Sequence, residues 1–455
     1  MIYKRYIKGF TLVIAGLALL SKASADYPIV SHRYLADPSV LVTEDRVYVY
    51  CSNDDLSPLE GGYNIPNVVC VSSSDMKNWT DHGVVFDAER DTSWSKKTWA
   101  PCAIERDGKF YIYFGNSGAN IGVVEGESPV GPFKDVLGGP LITHGTPGVQ
   151  PAKNMWLFDP GVFIDNDGQA YIYFGGNGDD NVRAAKLNED MVSLDGDVIK
   201  MHAPNFFEAA WVWRIEDTYY FSYSTTPRAE MRIDYMTSDH PTEGFEYAGI
   251  VGAQPPLNNN NNHAAQFLFK GNWYHVYHNR IVATEAGIPT GFRRNIAVEE
   301  FGYDDEGNII EVEYTRDGVE QIGSLDPYVR VEAETFAEQS GIETEPSSAG
   351  GMKVTDTQNG DWFKVAGVDF GEAGASKVSV MASAASKGSR IEMRLDSPDG
   401  ELIADIAVQP TGGEGKWKAS KAKVSGAQGV HDLYISFVGD GDVADLDWWQ
   451  FSPKK

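Results

Sequence analysis

Cysteine, basic side chains and long apolar runs are all scarce in this sequence of 455 residues. The three cysteines are Cys51, Cys70 and Cys102, and they lack the paired spacing that is typical of metal sites. Two alternatives remain open for them: one disulfide with a free thiol, or three buried free cysteines.

Basic residues are outnumbered, with 38 Lys and Arg against 65 Asp and Glu, which gives a formal net charge of −27. A surface of this charge repels nucleic acid and anionic membranes. We therefore expect no nucleic-acid partner and no membrane partner, and a neutral ligand is favoured.

The long apolar run of this sequence, residues 10–20, is shorter than the roughly 20 residues of a membrane span. Three basic residues precede the run and the small residues Ala23-Ser24-Ala25 follow it, which is the order of a secretory signal. We expect residues 1–25 to be a signal peptide and the mature chain to be secreted or periplasmic.

Helical periodicity is also rare, and one pattern of short aromatic strands recurs instead. Its five copies lie at intervals of 63, 60, 49 and 54 residues and are centred on Tyr48, Tyr111, Tyr171, Tyr220 and Tyr274. A repeat of this period that contains only strands predicts a β-propeller with four-stranded blades. The sequence therefore predicts an all-β protein in which residues 26–323 form a five-bladed propeller.

Similar positions in the five repeats, eleven or twelve residues before each tyrosine, hold three acids, one histidine and one alanine: Asp37, Ala100, Asp159, Glu208 and His263. Each precedes an apolar strand, and the first strand of a propeller blade lines the central channel. We expect the five positions to converge there at one depth. A single Asp-Pro pair usually marks only a turn. Four of the five repeats, however, carry an acid or a histidine at this distance before the tyrosine, and independent turns would not coincide in this way.

The carboxylates suit glycoside hydrolysis, which needs one neutral and one ionised carboxyl group. Glu208 lies between aromatic residues and alanines, so its pKa should be raised and it can act as general acid. Asp37 would be the general base that activates water, and Asp159 would orient Glu208 and raise its pKa. Because Asp37 and Glu208 would lie on opposite walls of the channel, we expect their carboxyl groups to be separated by the ~6.5–9.5 Å that is typical of inverting enzymes. A hard-cation site is the competing interpretation, but the nearby aromatic residues fit sugar faces: Trp99, Trp156, Phe158, Phe206, Phe207 and Trp211.

Four short motifs resemble the signature blocks of glycoside hydrolase family 43: Leu35-Ala36-Asp37-Pro38, Trp99-Ala100-Pro101, Phe158-Asp159-Pro160 and Phe207-Glu208-Ala209. The resemblance implies a five-bladed propeller and an inverting enzyme, mainly an α-L-arabinofuranosidase, β-xylosidase or arabinanase. It also implies that Asp37 is the general base, Asp159 the pKa modulator and Glu208 the general acid.

The same resemblance implies further substrate-binding residues. His263 matches an axial histidine that in some members helps to hold a calcium ion or a water molecule. Arg293, in Gly291-Phe292-Arg293, matches a substrate-binding arginine, and Arg294 is its rival. Three of the aromatic residues near the acids, Trp99, Phe207 and Trp211, complete the expected sugar contacts on their chemistry alone.

The character of the chain changes near residue 324, where the tyrosine repeat stops and short alternating strands begin. Residues 324–455 are predicted to form a β-sandwich (jelly-roll) module. The segments Val331-Glu332-Ala333-Glu334-Thr335-Phe336 and Asp445-Leu446-Asp447-Trp448-Trp449-Gln450-Phe451 resemble carbohydrate-binding module family 6.

Three acids of these two segments, Glu332, Glu334 and Asp447, could supply oxygen ligands to a structural calcium ion. A solvated acidic edge is the alternative. Trp362, in Asn359-Gly360-Asp361-Trp362, matches one sugar platform of the module family. A second usual aromatic residue is absent, because Glu414 follows Thr411-Gly412-Gly413.

Together these observations predict a secreted, monomeric, exo-acting glycosidase whose partner is a plant or algal polysaccharide. An α-L-arabinofuranosidase that removes side chains of arabinoxylan is favoured, on resemblance. A β-xylosidase, or another exo-glycosidase with the same acids, is the alternative enzyme. A sugar-binding propeller without catalysis is the alternative outside enzymes, although the presence of all three acids counts against it.

Overall fold

A computed structural model describes residues 28–455, except for residues 228–229, 259, 385–386 and 414. The predicted signal peptide, residues 1–25, lies outside the described residues. The described part is almost entirely β-structure, with two short helices at Ala88–Asp91 (α1) and Ile281–Glu285 (α2). In this part of the chain, no helix is long and apolar enough to cross a membrane.

The first 21 strands form five antiparallel sheets, and in each sheet the strands pair in chain order. We call these sheets blades 1 to 5. Blade 1 contains β1 (Leu35–Val42), β2 (Val47–Asn53), β3 (Asn67–Ser73) and β4 (Trp79–Asp87). Blade 2 contains β5 (Trp99–Arg106), β6 (Lys109–Gly115), β7 (Asn120–Gly126) and β8 (Phe133–Lys134), with β9 (Ile142–Thr143) also paired to β7. Blade 3 contains β10 (Gly161–Ile164), β11 (Ala170–Phe174), β12 (Arg183–Leu187) and β13 (Ile199–Lys200).

Blade 4 contains β14 (Phe206–Ile215), β15 (Thr218–Thr225), β16 (Ile233–Ser238) and β17 (Glu246–Gly252). Blade 5 contains β18 (Ala264–Phe269), β19 (Asn272–Asn279), β20 (Asn295–Tyr303) and β21 (Ile309–Ile310). The first strands of the five blades contact one another in a closed circuit, β1–β5–β10–β14–β18–β1. The backbone N–H of Ile29, ahead of blade 1, donates to the carbonyl of Ile296 in blade 5 and links the two ends of the ring. The five-bladed propeller prediction is confirmed.

The pairing register refines the predicted equivalence of the five channel positions. The residues that pair with the repeat tyrosines are Leu41, Ile104, Phe163, Trp213 and Phe267. Four residues before each of them lie Asp37, Ala100, Asp159, Ala209 and His263. Glu208 is therefore one residue ahead of the shared position, which Ala209 occupies.

Backbone strain marks this shared position. Asp37, Ala100, Asp159 and Ala209 all have a left-handed φ, at 49°, 42°, 49° and 64°. The pairing register also shifts at this point in β1, β5 and β14. Bulges of this kind re-aim side chains, and strained backbone is concentrated at functional sites. In β14 two successive register shifts flank Glu208, which explains why its offset differs from that of the aspartates.

The C-terminal strands form a β-sandwich, as predicted. The remaining strands of the chain are β22 (Val331–Glu332), β23 (Thr335–Phe336), β24 (Glu338–Ser340), β25 (Glu343–Pro346), β26 (Met352–Thr355), β27 (Trp362–Asp369), β28 (Ala375–Ser383), β29 (Arg390–Leu395), β30 (Leu402–Ala407), β31 (Lys418–Lys423), β32 (Val430–Val438) and β33 (Asp445–Pro453). One sheet of the sandwich has the order β25-β26-β33-β28-β31 with β22 added to β33, and the other has the order β24-β27-β32-β29-β30. A single apolar core, which includes the fully buried Trp449, lies in the sandwich.

The module is joined to blade 1 by more than the connecting chain. β23 leaves the sandwich and pairs with β4, so that blade 1 has a fifth strand. Beside it, the buried carboxylate of Asp81 accepts hydrogen bonds from Arg33 (2.6 Å) and from Thr344 of the module (2.6 Å). Asn78 exchanges two hydrogen bonds with the backbone of Ala366.

The cysteine alternatives are also settled. Cys51, Cys70 and Cys102 are all free and buried. Burial raises the pKa of each of these thiols, which fits their place in the cores between blades rather than a reactive role.

Candidate active site

A cavity of about 410 Å³ opens where the first strands of the blades converge. The sequence predicted several of its lining residues, namely Asp37, Asp159, Glu208, Trp99 and Phe207. The full lining consists of Asp37, Tyr63, Ile65, Trp99, Trp156, Phe158, Asp159, Phe207, Glu208, Asn260, Asn261 and Arg294. All three predicted acids are buried, with 5–6% of their surface exposed.

Asp37 is held in the ionised form. Burial alone would raise its pKa, but the positive charge of Arg294 outweighs burial and lowers the pKa to about 2. The Nη1 atom of Arg294 lies 2.5 Å from Oδ1 of Asp37. A carboxylate that stays ionised in an active-site cavity can accept a proton from water.

His278 supports Asp37 as a neutral imidazole. Burial, and then Arg294, lower the pKa of His278 well below its usual range. Its Nδ1 accepts the backbone N–H of Asp37 at 3.2 Å, so its proton is on Nε2, which donates to the carbonyl of Asn261 at 3.1 Å. The strained backbone of Asp37 is thereby fixed from blade 5.

Asp159 connects two of the other groups. Its Oδ2 accepts the backbone N–H of Ala209 at 3.1 Å and lies 3.5 Å from Nδ1 of His263. Burial raises the pKa of Asp159, and its contact with His263 opposes that rise. Because Ala209 follows Glu208 directly, Asp159 fixes the backbone on which Glu208 is mounted.

Glu208 has the electrostatics of a general acid. Its pKa is raised well above the usual range, first by burial and then by the negative charges of Asp159 and Asp37. Its Oε1 atom is buried and has no hydrogen-bond partner among the described residues. A neutral carboxyl group with a free position can protonate a ligand oxygen.

The structure places two predicted substrate contacts away from the cavity. His263 lies between the aspartates, with Nδ1 3.8 Å from Asp37 and 3.5 Å from Asp159, and it does not line the cavity. Trp211 is packed in the axis against the cores of several blades, and its Nε1 donates to the carbonyl of Gln266 at 2.9 Å. The register shift between Glu208 and Trp211 turns Trp211 into the core.

The arginine of the cavity is Arg294 and not its neighbour Arg293, which the sequence favoured. Arg293 donates to the backbone carbonyl of Asp54 at 2.7 Å and lies over the ring of Tyr34, outside the cavity lining. Arg294 is 1% exposed and lines the cavity, where it pairs with the carboxylates of Asp37 and Asp54. The two side chains point apart because only Arg294 meets buried carboxylates.

Aromatic rings form one wall of the cavity. Trp156 makes edge contacts with Phe158 and Phe207, at ring distances of 5.3 and 5.7 Å, and is 39% exposed. Trp99 lies in another part of the lining, and its buried Nε1 has no hydrogen-bond partner among the described residues. Such faces and donors suit a sugar ring with its hydroxyl groups.

Sequence reasoning missed four lining residues. Tyr63 and Ile65 come from the loop between β2 and β3, and Asn260 and Asn261 come from an asparagine run that resembled a plain polar loop. Arg280 holds these loops together, because its Nη2 donates to Asn261 Oδ1 at 2.8 Å, to Asn260 and to Tyr63. No local signal marked them, since the contacts join segments that are far apart in sequence.

The predicted calcium ligands of the module lie near one another, but some of their carboxylate oxygens already have partners. Glu332 pairs with Arg330 at 2.7 Å, and Asp447 lies 3.5 Å from the same guanidinium group. Burial raises the pKa of Glu334 to about 8, and its Oε2 has no partner among the described residues. Across the described ranges, no three His, Cys, Asp or Glu side chains are grouped closely enough to hold a metal ion. The buried Oε2 of Glu334, which lacks a partner in the described part of the chain, suits a hard cation, whereas both oxygens of Asp447 have partners, Ser347 at 2.9 Å and Arg330 at 3.5 Å.

Trp362, the predicted sugar platform of the module, is half-buried beside Tyr434, at a ring distance of 5.2 Å. Its role in sugar binding stays a prediction.

Comparison with known proteins agrees with this two-part structure. Residues 25–309 match the family model for glycosyl hydrolases family 43, and residues 332–453 match that for carbohydrate binding module (family 6). An arabinoxylan arabinofuranohydrolase of Bacillus subtilis is 39% identical over 94% of this chain and 92% of its own length. One of Paenibacillus polymyxa is 37% identical over 94% of this chain and 74% of its own length.

A solved structure is similar over the whole described architecture. It is a glycoside hydrolase family 43 arabinoxylan arabinofuranohydrolase from Bacillus subtilis in complex with cellotetraose. The TM-score is 0.89 at 37% identity, and the match covers 95% of this chain and 98% of that one.

Proposed function

Because this chain belongs to glycosyl hydrolases family 43 and is a glycoside hydrolase, we propose that it is an inverting, exo-acting α-L-arabinofuranosidase. Its substrate is an arabinoxylan-type polysaccharide, from which it removes arabinose side chains. Two relatives that match 94% of this chain are arabinoxylan arabinofuranohydrolases, which supports the choice of sugar.

One observation carries the mechanism: an ionised carboxylate and a neutral carboxyl group line the same cavity. Glu208 protonates the oxygen of the glycosidic bond as that bond breaks. Asp37 accepts a proton from the water that attacks the anomeric carbon from the opposite face, so the configuration inverts. Asp159 keeps Glu208 protonated by its charge and holds Ala209 in place.

The test compares aryl α-L-arabinofuranoside and aryl β-D-xyloside as substrates, together with analysis of the sugar released from arabinoxylan. Preferential release of arabinose, with inverted configuration seen by NMR in the first minutes, is the expected result. Preferential xylose release would make the enzyme a β-xylosidase, and no release from any substrate would leave only a sugar-binding propeller. Glu208→Ala should abolish the hydrolysis of substrates with poor leaving groups, and an unchanged rate would refute its role as acid.

For the module, we propose that Glu332, Glu334 and Asp447 hold a structural calcium ion, which would neutralise the buried carboxylates. The melting temperature of the full chain should rise when calcium replaces a chelator, and Asp447→Asn should remove that rise. An unchanged melting temperature would exclude the site. Restoring activity with calcium after chelation would test a second ion near His263.

Export is a further proposal, which N-terminal sequencing of the protein from the medium or periplasm would test. Light scattering on a sizing column would test whether the protein is a monomer.

A further inference from the structure

Asp54 is a buried acid behind the cavity that the mechanism above does not use. It directly follows β2, is completely buried, and does not line the cavity. Its backbone N–H donates to the carbonyl of Tyr34 at 2.8 Å, which fixes the position of the residue.

Asp54 makes three contacts with Arg294. Its Oδ2 accepts the backbone N–H of Arg294 at 3.1 Å and Nε at 2.8 Å, and its Oδ1 accepts Nη2 at 2.8 Å. This is the two-pronged geometry that orients a guanidinium group most firmly. Only Nη1 remains for Asp37, at 2.5 Å.

We propose that Asp54 is a positioning residue, which takes one side of the Arg294 guanidinium group so that Arg294 gives Asp37 a single hydrogen bond. The proposal rests on the proposed role of Asp37 as general base. Without Asp54, Arg294 would keep one carboxylate partner, Asp37, and could bind both of its oxygens. The carboxylate would then be less able to accept a proton from water.

The charges around Asp37 also favour a positioning role for Asp54. The groups around Asp37 are Arg294, His263 and His278 on one side and the acids Asp54, Asp159 and Glu208 on the other. Asp54 neutralises part of the charge of Arg294. Removing it leaves more positive charge in the cavity, which lowers the pKa of Asp37 and, further away, that of Glu208.

The test is the pH profile of kcat/KM for aryl arabinofuranoside with Asp54→Asn, which keeps the side-chain shape. We expect a loss of at least about tenfold, the scale of a disturbed acid–base group. The alkaline limb, set by Glu208, should move down by about 0.5 pH unit or more. Asp54→Glu should restore the limb toward its original position, because it restores the charge.

Asp81→Asn is the matched control, because Asp81 is also buried against an arginine, Arg33, but at the contact with the module. It should lower the melting temperature without moving either limb. If Asp54→Asn lowers activity and leaves the alkaline limb in place, or moves it upward, the proposal is wrong.

If Asp54→Asn does not fold, Asp54→Ser replaces it, since a smaller neutral side chain also removes the negative charge beside Arg294. The same downward shift is expected, and its absence would overturn the proposal. Failure of the proposed function would look different, because Asp37→Ala would then keep its activity whatever happens at Asp54.

Discussion

Adding one methyl group between two blades should disable the enzyme. Gly161 is the first residue of β10, two residues after Asp159, and it faces Ala210 in β14, two residues after Glu208. A Cβ atom on Gly161 would lie 2.1 Å from the carbonyl oxygen of Ala210, whereas real Cβ contacts are essentially never shorter than 3.0 Å. The two strands would have to separate by at least 3.0 − 2.1 = 0.9 Å at this point.

That separation lies between two of the three acids. A misplacement of about 1 Å in a catalytic site can cost about 100-fold in rate, which corresponds to about 2.7 kcal/mol of transition-state stabilisation. Overpacking also costs about 1–3 kcal/mol of folding free energy. Gly161→Ala should therefore lower kcat/KM about 100-fold and lower the melting temperature.

The assay is kcat/KM with aryl arabinofuranoside, together with thermal unfolding. Gly302→Ala is the control, because Gly302 also lies in a strand, β20, and its added Cβ would meet nothing within 4 Å. It should leave both measurements nearly unchanged. Wild-type kcat/KM in Gly161→Ala would refute the reasoning, because the spacing of β10 and β14 would then not set the geometry of the acids.

Three further changes test other parts of the structure. The pKa of Asp37 falls from its usual 3.8 to about 2 on folding, so its ionised form stabilises the fold above pH 3.8 and this contribution, about 2 kcal/mol, is lost as pH falls through 2. In urea unfolding, Asp37→Asn should therefore destabilise the protein more at pH 6 than at pH 3. Asn78→Ala should cost about 1–3 kcal/mol in the same assay, because it leaves the buried N–H of Ala366 without its acceptor. Trp156→Ala should raise KM for arabinoxylan about tenfold and KM for the aryl arabinofuranoside much less, since the exposed ring suits the longer substrate.

Each of these predictions has a contrary result. Equal destabilisation by Asp37→Asn at both pH values would mean that the carboxylate is not stabilised by its neighbours. No loss of stability in Asn78→Ala would mean that the contact with the module contributes nothing to folding. Equal changes of KM for both substrates in Trp156→Ala would place the ring beside the terminal sugar itself.

The blades could be predicted because their signal is local. Aromatic alternation around Tyr111 or Tyr171 is a property of a single hairpin, so five copies give five blades without knowledge of how the blades meet. The acids Asp37 and Asp159 followed from the same register. Glu208 was also found, although it lies one residue ahead of the position that Asp37 and Asp159 share. An interval of eleven or twelve residues before each tyrosine is wide enough to include it.

Side-chain direction beyond the bulges could not be predicted. In β14 the register shifts twice around Glu208, which leaves Phe207 in the cavity and turns Trp211 into the core. The choice between Arg293 and Arg294 depended on Asp54, which is 240 residues away in sequence. Asn261 was missed for the same reason, since its place depends on the buried Arg280 and not on its neighbours in the asparagine run.

The strand that the module contributes to blade 1 changes where the chain can be divided. A chain cut at residue 323 would contain all five blades, but it would lose β23 and leave the outer edge of β4 with open N–H and C=O groups. Such an edge is a template on which a second copy can add its own strand, so the shortened enzyme should aggregate on concentration. Exchange of this module for another by gene fusion would therefore need β23, residues 335–336, to stay with the propeller.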